Sequence, residues 1–183
     1  MTAPALASDV VPSAARPQEL AALVPAGRLL EPAECEATAR AIAEAPALWS
    51  DVVLTPTESG TRSYALLHET EDVEVWLLAW RPGHTTGYHD HGTSNVGFCV
   101  VSGSIAERQL RFAEPSTEAF LAAGDARSAP SDYIHCLEWH AGDPALSVHV
   151  YSPPLAQVGQ YRVGEAGVLR REVQAGRDEL TLD

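Results

Sequence analysis

Residues 83–103 read GHTTGYHDHGTSNVGFCVVSG and contain two histidines, His89 and His91, separated by one residue. Successive side chains of a β-strand point to opposite faces, so both histidines would project from one face and Asp90 from the other. Two adjacent imidazoles can share a metal ion, and neutral imidazole suits zinc, iron, copper and nickel alike. An isolated His-x-His more often marks polar or hydrogen-bonded surface histidines, so the surrounding sequence must decide.

A second segment, residues 124–139, reads GDARSAPSDYIHCLEW and contains a further candidate ligand, His135, at the start of an apolar run that predicts a strand. Together the two segments resemble the two sequence motifs of the cupin superfamily. The matched positions are Gly83, His89, His91, Val96 and Gly103 in the first motif, and Gly124, Pro130, Asp132, His135 and Trp139 in the second.

The cupin resemblance implies a mainly β fold, a jelly-roll β-barrel, with a metal site in its interior. The first cupin motif often has a glutamate where this chain has Val96. The resemblance therefore implies a site formed by His89, His91 and His135, called here the three histidines. Departures in the second motif fall on turn and scaffold positions and remove no ligand.

A polar row follows in residues 147–155, SVHVYSPPL, where Ser147, His149 and Tyr151 occupy alternate positions and share one face of a predicted strand. On a barrel strand this face would point into the interior near the metal. The alternative is an outward polar face on an edge strand. The interior is favoured because the preceding predicted strand carries His135, and sequential strands are often neighbours.

The strings HDHGTS (89–94) and SVHVYSPPL look like those of the cysteine dioxygenase family of thiol dioxygenases, and the likeness covers roughly residues 62–155. It implies Fe(II) held by the three histidines. It also implies a relay of Ser147, His149 and Tyr151 beside the iron. The family converts a small aminothiol such as cysteine to its sulfinic acid with O₂.

The family's substrate carboxylate is met by an arginine upstream of the first motif, and Arg62 is the matching residue. A different loop length would place Tyr64 or His68 there instead. If Arg62 is only a surface charge, carboxylate recognition is lost or rerouted. Trp80 is expected in the core or the pocket wall. It completes the predicted substrate-binding set with Arg62, Tyr64 and Val96.

Val96 occupies a position at which some family members carry a cysteine crosslinked to the tyrosine. Cys99 lies three residues further on and on the opposite strand face, so we predict no crosslink. The branched valine should narrow the pocket. His84 and His140 are interpreted as surface residues.

Composition narrows the function classes. A chain of 183 residues fits one domain, and a formal charge of −13 without a basic run disfavours nucleic acid and anionic membranes. No apolar run is long enough to span a bilayer, and the first twenty residues lack the features of a secretory signal, so we expect a cytoplasmic protein. An odd number of cysteines, Cys35, Cys99 and Cys136, indicates reduced, mostly core thiols.

The pattern predicts helices at 18–23 and 31–45, the second ended by Pro46, and a loop at 55–61. Predicted strands are 73–80, 87–91, 96–101, 105–112, 118–121, 134–139, 145–151 and 157–163. Many short strands with regular turns favour a sandwich or jelly-roll barrel. We divide the chain into a flexible N-terminus (1–16), a helical extension packed on the barrel (17–50), the cupin barrel (51–165) and a tail (166–183).

The leading hypothesis is Fe(II)-dependent oxidation at sulfur of L-cysteine or a close analogue, with a small thiol and O₂ as partners. One alternative keeps the three histidines but uses nickel or another divalent metal for an oxidative rearrangement. A second is a non-catalytic cupin that binds a metal or ligand as a sensor or store. A third is zinc with hydrolytic or lyase chemistry. The sequence does not indicate an oligomeric state.

Overall fold

The computed structural model describes residues 16–57, 62–111, 114–163 and 169–176. The predicted flexible N-terminus therefore lies outside the described residues except for Arg16. The elements are α1 (Arg16–Leu23), α2 (Pro32–Ala43), a 3₁₀-helix (Pro46–Leu48), β1 (Thr55–Pro56), β2 (Arg62–Glu69), β3 (Glu74–Trp80), β4 (Tyr88–Asp90), β5 (Asn95–Gln109), β6 (Thr117–Ala122), β7 (Ala126–Ala129), β8 (His135–Ser152), β9 (Gln157–Val163) and β10 (Leu169–Ala175).

Helix α2 forms as the sequence predicts. Pro32 occupies its first turn, where a missing backbone donor costs nothing. The carboxylate of Glu34 accepts a hydrogen bond from the backbone N–H of Glu31 at 2.9 Å. The residues buried along the helix, Cys35, Thr38, Ala39 and Ile42, recur at helical spacing and pack against the sheet. The helix ends at Ala43, and the following proline starts the 3₁₀-helix.

Every strand pair in the described sheet is antiparallel. One path of hydrogen-bonded neighbours runs β1-β2-β3-β8-β4-β9-β10, and β5 pairs with β6, β7 and β8. The two longest strands, β5 and β8, pair with each other; β5 also pairs with β6 and β7, and β8 with β3 and β4. This confirms the predicted mainly β, jelly-roll architecture with short N-terminal helices.

The structure corrects several predicted strands. The strands predicted at 96–101 and 105–112 are one bent strand, β5, and those at 134–139 and 145–151 are one strand, β8. The bend replaces a turn because Gly103 has a φ of +69° and its backbone lies against Ala141, where a Cβ would collide.

Four of the described strands were not predicted: β1, β2, β7 and β10. Strand β10 lies in the segment assigned to a tail, yet it pairs along its whole length with β9. It is almost entirely exposed, so its residues carry no apolar alternation that would indicate a strand. Strand β1 lies within the loop predicted at 55–61. Strand β2 follows that loop, and its burial does not alternate cleanly.

Strand alternation divides the apolar residues into two clusters. One fills the space between the helices and the outer sheet face, and it includes Val75, Val148 and Val150. The other fills the barrel interior, and it includes Trp80, Phe98 and Tyr151. The polar row of β8 therefore faces the barrel interior.

Neither described helix has the length and apolar character needed to cross a bilayer.

Gly97 in β5 allows α2 to pack directly on the sheet. A Cβ at this position would lie 2.6 Å from the Cα of Glu36 and would also collide with the backbone joining Cys35 to Glu36. We predict that Gly97→Ala lowers the free energy of unfolding by about 2 kcal/mol, because the helix must move outward. Urea denaturation measures this, with Ser102→Ala in the same strand as the control. Equal losses for the two variants would contradict the proposed contact.

Candidate metal centre

The barrel interior brings the three histidines together from two distant segments. His89 lies in β4, His91 follows it, and His135 begins β8, where its Cα is the direct cross-strand partner of His89. The ring centroids are 4.8 to 5.1 Å apart. One ring nitrogen from each histidine lies within 4.8 Å of the others, and all three side chains are buried.

The hydrogen bonds of the rings direct nitrogen lone pairs toward this cluster. Nδ1 of His89 lies 3.1 Å from the carbonyl oxygen of Gly87, and Nδ1 of His135 lies 2.8 Å from Oε1 of Glu107. A neutral ring that donates from Nδ1 keeps an unprotonated Nε2. Nε2 of His135 and Nδ1 of His91 are buried and have no hydrogen-bond partner among the described residues. Such nitrogens suit a metal ion.

Burial keeps His91 and His135 neutral. It lowers the pKa of His91 well below its ordinary value, and proximity to His135 and His89 lowers it further. Burial, followed by the charge of His89, lowers the pKa of His135 in the same way. Metal ligation requires unprotonated imidazole, so the protein pays no cost for removing a proton from either ring at neutral pH.

Glu107 is a site residue that the sequence analysis missed. Its carboxylate is buried, accepts the hydrogen bond from Nδ1–H of His135, and lies 3.8 Å from Nε of Arg127. Burial raises the pKa of Glu107, whereas Arg127 and a hydrogen bond from Tyr133 lower it. The carboxylate fixes the orientation and tautomer of His135. The sequence indicates this position in one way only: Glu107 lies two residues after Ile105 on a strand, so both side chains share the interior face.

The polar row forms a hydrogen-bonded chain. The indole N–H of Trp80 donates to Oγ of Ser147 at 2.8 Å, and Oγ lies 2.9 Å from Nε2 of His149. Nδ1 of His149 lies 3.4 Å from the hydroxyl of Tyr151. Because an indole can only donate, the Ser147 hydroxyl hydrogen is available to Nε2 of His149.

The same chain orients Tyr151. Burial, followed by the charge of His135, lowers the pKa of His149 to about 3, so its ring is neutral at physiological pH. With Nε2 accepting, the single ring hydrogen is on Nδ1 and points at the Tyr151 oxygen. The hydroxyl hydrogen of Tyr151 then points away from His149. The ring centroids of Tyr151 and His91 are 5.8 Å apart, so the chain ends beside the three histidines.

The burial of the polar row excludes the outward-facing alternative. Ser147, His149 and Tyr151 are at most 3% exposed and line the interior of the barrel. His149 is also stacked on Phe98, with ring centroids 5.0 Å apart.

A small cavity of about 10 Å³ joins the two groups of residues. Its wall is formed by Arg62, Leu78, Trp80, Thr86, His89, His135, Leu137, His149 and Tyr151. Arg62 is 1% exposed, so its interpretation as a surface charge is wrong. Trp80 lies in the wall as expected.

Two other predicted pocket residues lie outside this wall. Tyr64 packs against Trp76, with ring centroids 6.1 Å apart. Val96 is buried as the cross-strand partner of Tyr151, so it borders the tyrosine and not the cavity. His68, the other alternative, is half-buried on the same strand as Tyr64 and is also absent from the wall.

Of the two histidines interpreted as surface residues, one is buried and one is exposed. His84, interpreted as a surface residue, is 3% exposed, and its ring centroid lies 5.1 Å from that of Trp80, so that interpretation is wrong. His140 is exposed as expected. Cys99 is a free thiol in the helix-facing cluster, on the other side of the sheet from Tyr151. This arrangement agrees with the predicted absence of a crosslink.

Comparison with known proteins gives one family and several similar structures. The model of the family described as cysteine dioxygenase type I matches residues 33–163. KdgF from Halomonas sp. is 20% identical over 57% of this chain and 91% of its own, with a TM-score of 0.49. An uncharacterized Klebsiella pneumoniae protein with a double-stranded β-helix domain is 20% identical over 64% and 89%, with a TM-score of 0.47. The Schizosaccharomyces pombe Cnp3 cupin domain is 11% identical over 57% and 66%, with a TM-score of 0.49.

Proposed function

The chain belongs to the cysteine dioxygenase type I family of the cupin superfamily, and on this premise we propose that it oxidises a small aminothiol, L-cysteine or a close analogue, at sulfur with O₂. The family and the three-histidine cluster make the protein a metal-dependent cupin. The thiol substrate and the use of Fe(II) are the further steps of the proposal.

One observation carries the proposal: a single cavity is bordered by two of the three histidines, by Tyr151 with its hydrogen-bonded His149, and by the buried Arg62. A metal store would need only the histidines. A tyrosine held by a histidine and a buried guanidinium are groups that orient a reactant with an anionic end.

Fe(II) is the proposed metal, and the donor atoms suit it. Three neutral imidazoles leave a divalent ion its full charge and, in octahedral geometry, about three open positions. When bound, the ion would lower the pKa of a coordinating thiol and provide a place for O₂ to react with it. The reaction R–SH + O₂ → R–SO₂H places both oxygen atoms on sulfur, so no external reductant is required.

The protein's own residues would position the reactants. The Tyr151 hydroxyl, kept as a donor by Nδ1–H of His149, would hydrogen-bond to the oxygen or to the substrate. Ser147 and Trp80 would hold His149 in the tautomer that makes this possible. Arg62 would bind the substrate carboxylate, and the buried surroundings would strengthen that ion pair by excluding water.

We predict that the iron-loaded protein consumes O₂ with L-cysteine and releases one sulfinate for each O₂. Tyr151→Phe should lower the rate about 100-fold, because the ring stays packed while the donor is lost. An oxygen electrode and mass spectrometry of the product measure both quantities. Elemental analysis provides the control, since the variant should retain the wild-type metal content.

Two outcomes would contradict this function. Failure of the iron-loaded protein to consume O₂ with any of a panel of aminothiols would reject thiol oxidation and favour another metal or hydrolytic chemistry. Full activity of Tyr151→Phe would reject the role of the polar row. Metal binding without turnover, unaffected by this substitution, would indicate a sensor or store.

Arg62 gives a test of the substrate class. Arg62→Gln should raise the KM for L-cysteine tenfold or more, since it removes a charge-assisted hydrogen bond to the carboxylate, but it should change the KM for cysteamine, which has no carboxylate, by less than about twofold. The control is Arg81→Gln, which removes an exposed arginine paired with Asp143. Equal losses with both thiols would contradict carboxylate recognition by Arg62.

A further inference from the structure

The segment that supplies two of the three histidines has little structure of its own. Strand β4 is three residues long, and His91 lies beyond its end. Such a short strand depends on its neighbours for its conformation. Its more extensive pairing is with β9, through residues 88–90, whereas it pairs with β8 only at His89; β9 is itself paired with β10. The C-terminal hairpin β9–β10 therefore supports the His-x-His segment from one side.

Asp90, between the two histidines, connects this segment to the hairpin. Its side chain points away from the three histidines, as predicted, and is buried. It accepts hydrogen bonds from Nε of Arg171 at 2.6 Å, Nη2 of Arg171 at 2.8 Å, and the Tyr161 hydroxyl at 2.7 Å. The backbone N–H groups of Gly92 and Gly159 also donate to it, at 2.9 and 3.2 Å. Both carboxylate oxygens are thus used.

The two-point contact between Arg171 and Asp90 restricts the rotation of the Asp90 carboxylate as well as its position. Two parallel N–H···O bonds between a guanidinium and a carboxylate fix their relative orientation. A glycine at 159 gives the arginine room, because a Cβ there would lie 2.5 Å from Oδ2 of Asp90 and would collide with the Arg171 side chain. Fixing Asp90 in this way also fixes the backbone dihedrals on which the directions of His89 and His91 depend.

We propose that Arg171 is a positioning residue for the metal centre. By donating two hydrogen bonds to Asp90, it preorganises His89 and His91 for simultaneous ligation of one metal ion. The inference rests on the metal-binding role of the three histidines in the proposed function. It places a determinant of metal affinity in the C-terminal hairpin, on the opposite side of β4 from the ligand nitrogens. Loss of such supporting contacts commonly weakens metal binding 10- to 100-fold.

The experiment is a titration of the metal-free protein with Co²⁺, followed by its visible absorption. Arg171→Gln should raise the Kd for Co²⁺ at least tenfold and change the absorption spectrum, because the two imidazoles no longer converge as one unit. Arg162→Gln is the matched control. It lies on the same hairpin and removes only an exposed, 3.9 Å ion pair with Glu172, so its Kd should stay within twofold of wild type.

Further measurements separate positioning from folding. The titrations are made at a temperature where circular dichroism shows every metal-free variant to be folded. Arg171→Lys keeps the positive charge but cannot make the two parallel hydrogen bonds to Asp90. Its Kd should therefore fall between those of wild type and Arg171→Gln. If Arg171→Gln does not fold, Tyr161→Phe removes one hydrogen bond to Asp90 and should raise the Kd about threefold.

The possible results are distinct. A Kd for Arg171→Gln equal to that of Arg162→Gln, with the same spectrum, would overturn the inference while leaving the metal site intact. For Tyr161→Phe, a Kd equal to that of wild type would overturn it in the same way. Failure of the wild-type protein to bind Co²⁺, Fe²⁺ or Ni²⁺ would instead reject the proposed function, and with it the inference.

Discussion

The arrangement that everything else depends on is a group of three buried imidazoles whose ring nitrogens converge inside the barrel. Burying unpaired polar nitrogens is unfavourable, and a bound cation relieves this cost. Both His89 and His135 have their Nδ1 atoms engaged, by a backbone carbonyl and by Glu107, so the free Nε2 atoms are the ones available inside. The metal centre is thus prepared by hydrogen bonds made outside it.

Strand alternation places polar side chains around this centre. On β8, Ser147, His149 and Tyr151 point inward while the valines between them pack beneath the helices. The indole of Trp80 gives the chain of hydrogen bonds a direction that leaves the Tyr151 hydroxyl able to donate. A metal, an oriented hydroxyl and a buried guanidinium in one small cavity are suited to a small reactant with a nucleophilic and an anionic end.

Features that depend on short-range periodicity could be predicted from the sequence. His89 with His91, and Ser147 with His149, are two residues apart on strands, so their shared faces follow from the pleat alone. Contacts between distant residues could be predicted only where the family resemblance implied them, as for His135 with His89 and His91. The bond between Asp90 and Arg171 spans 81 positions, and β10 has no apolar pattern that would reveal the pairing that creates it. Likewise, a charged residue such as Glu107 is assumed to be exposed until its neighbours are known.

The most direct test of the central claim is the anomalous scattering of a crystal grown with Fe(II) or Co(II) and measured at the absorption edge of that metal. The account predicts one peak per chain, within about 2.1 Å of one nitrogen from each of His89, His91 and His135. A peak bound to other residues, or a metal ligated without His135, would contradict the claim that the two segments form a single site.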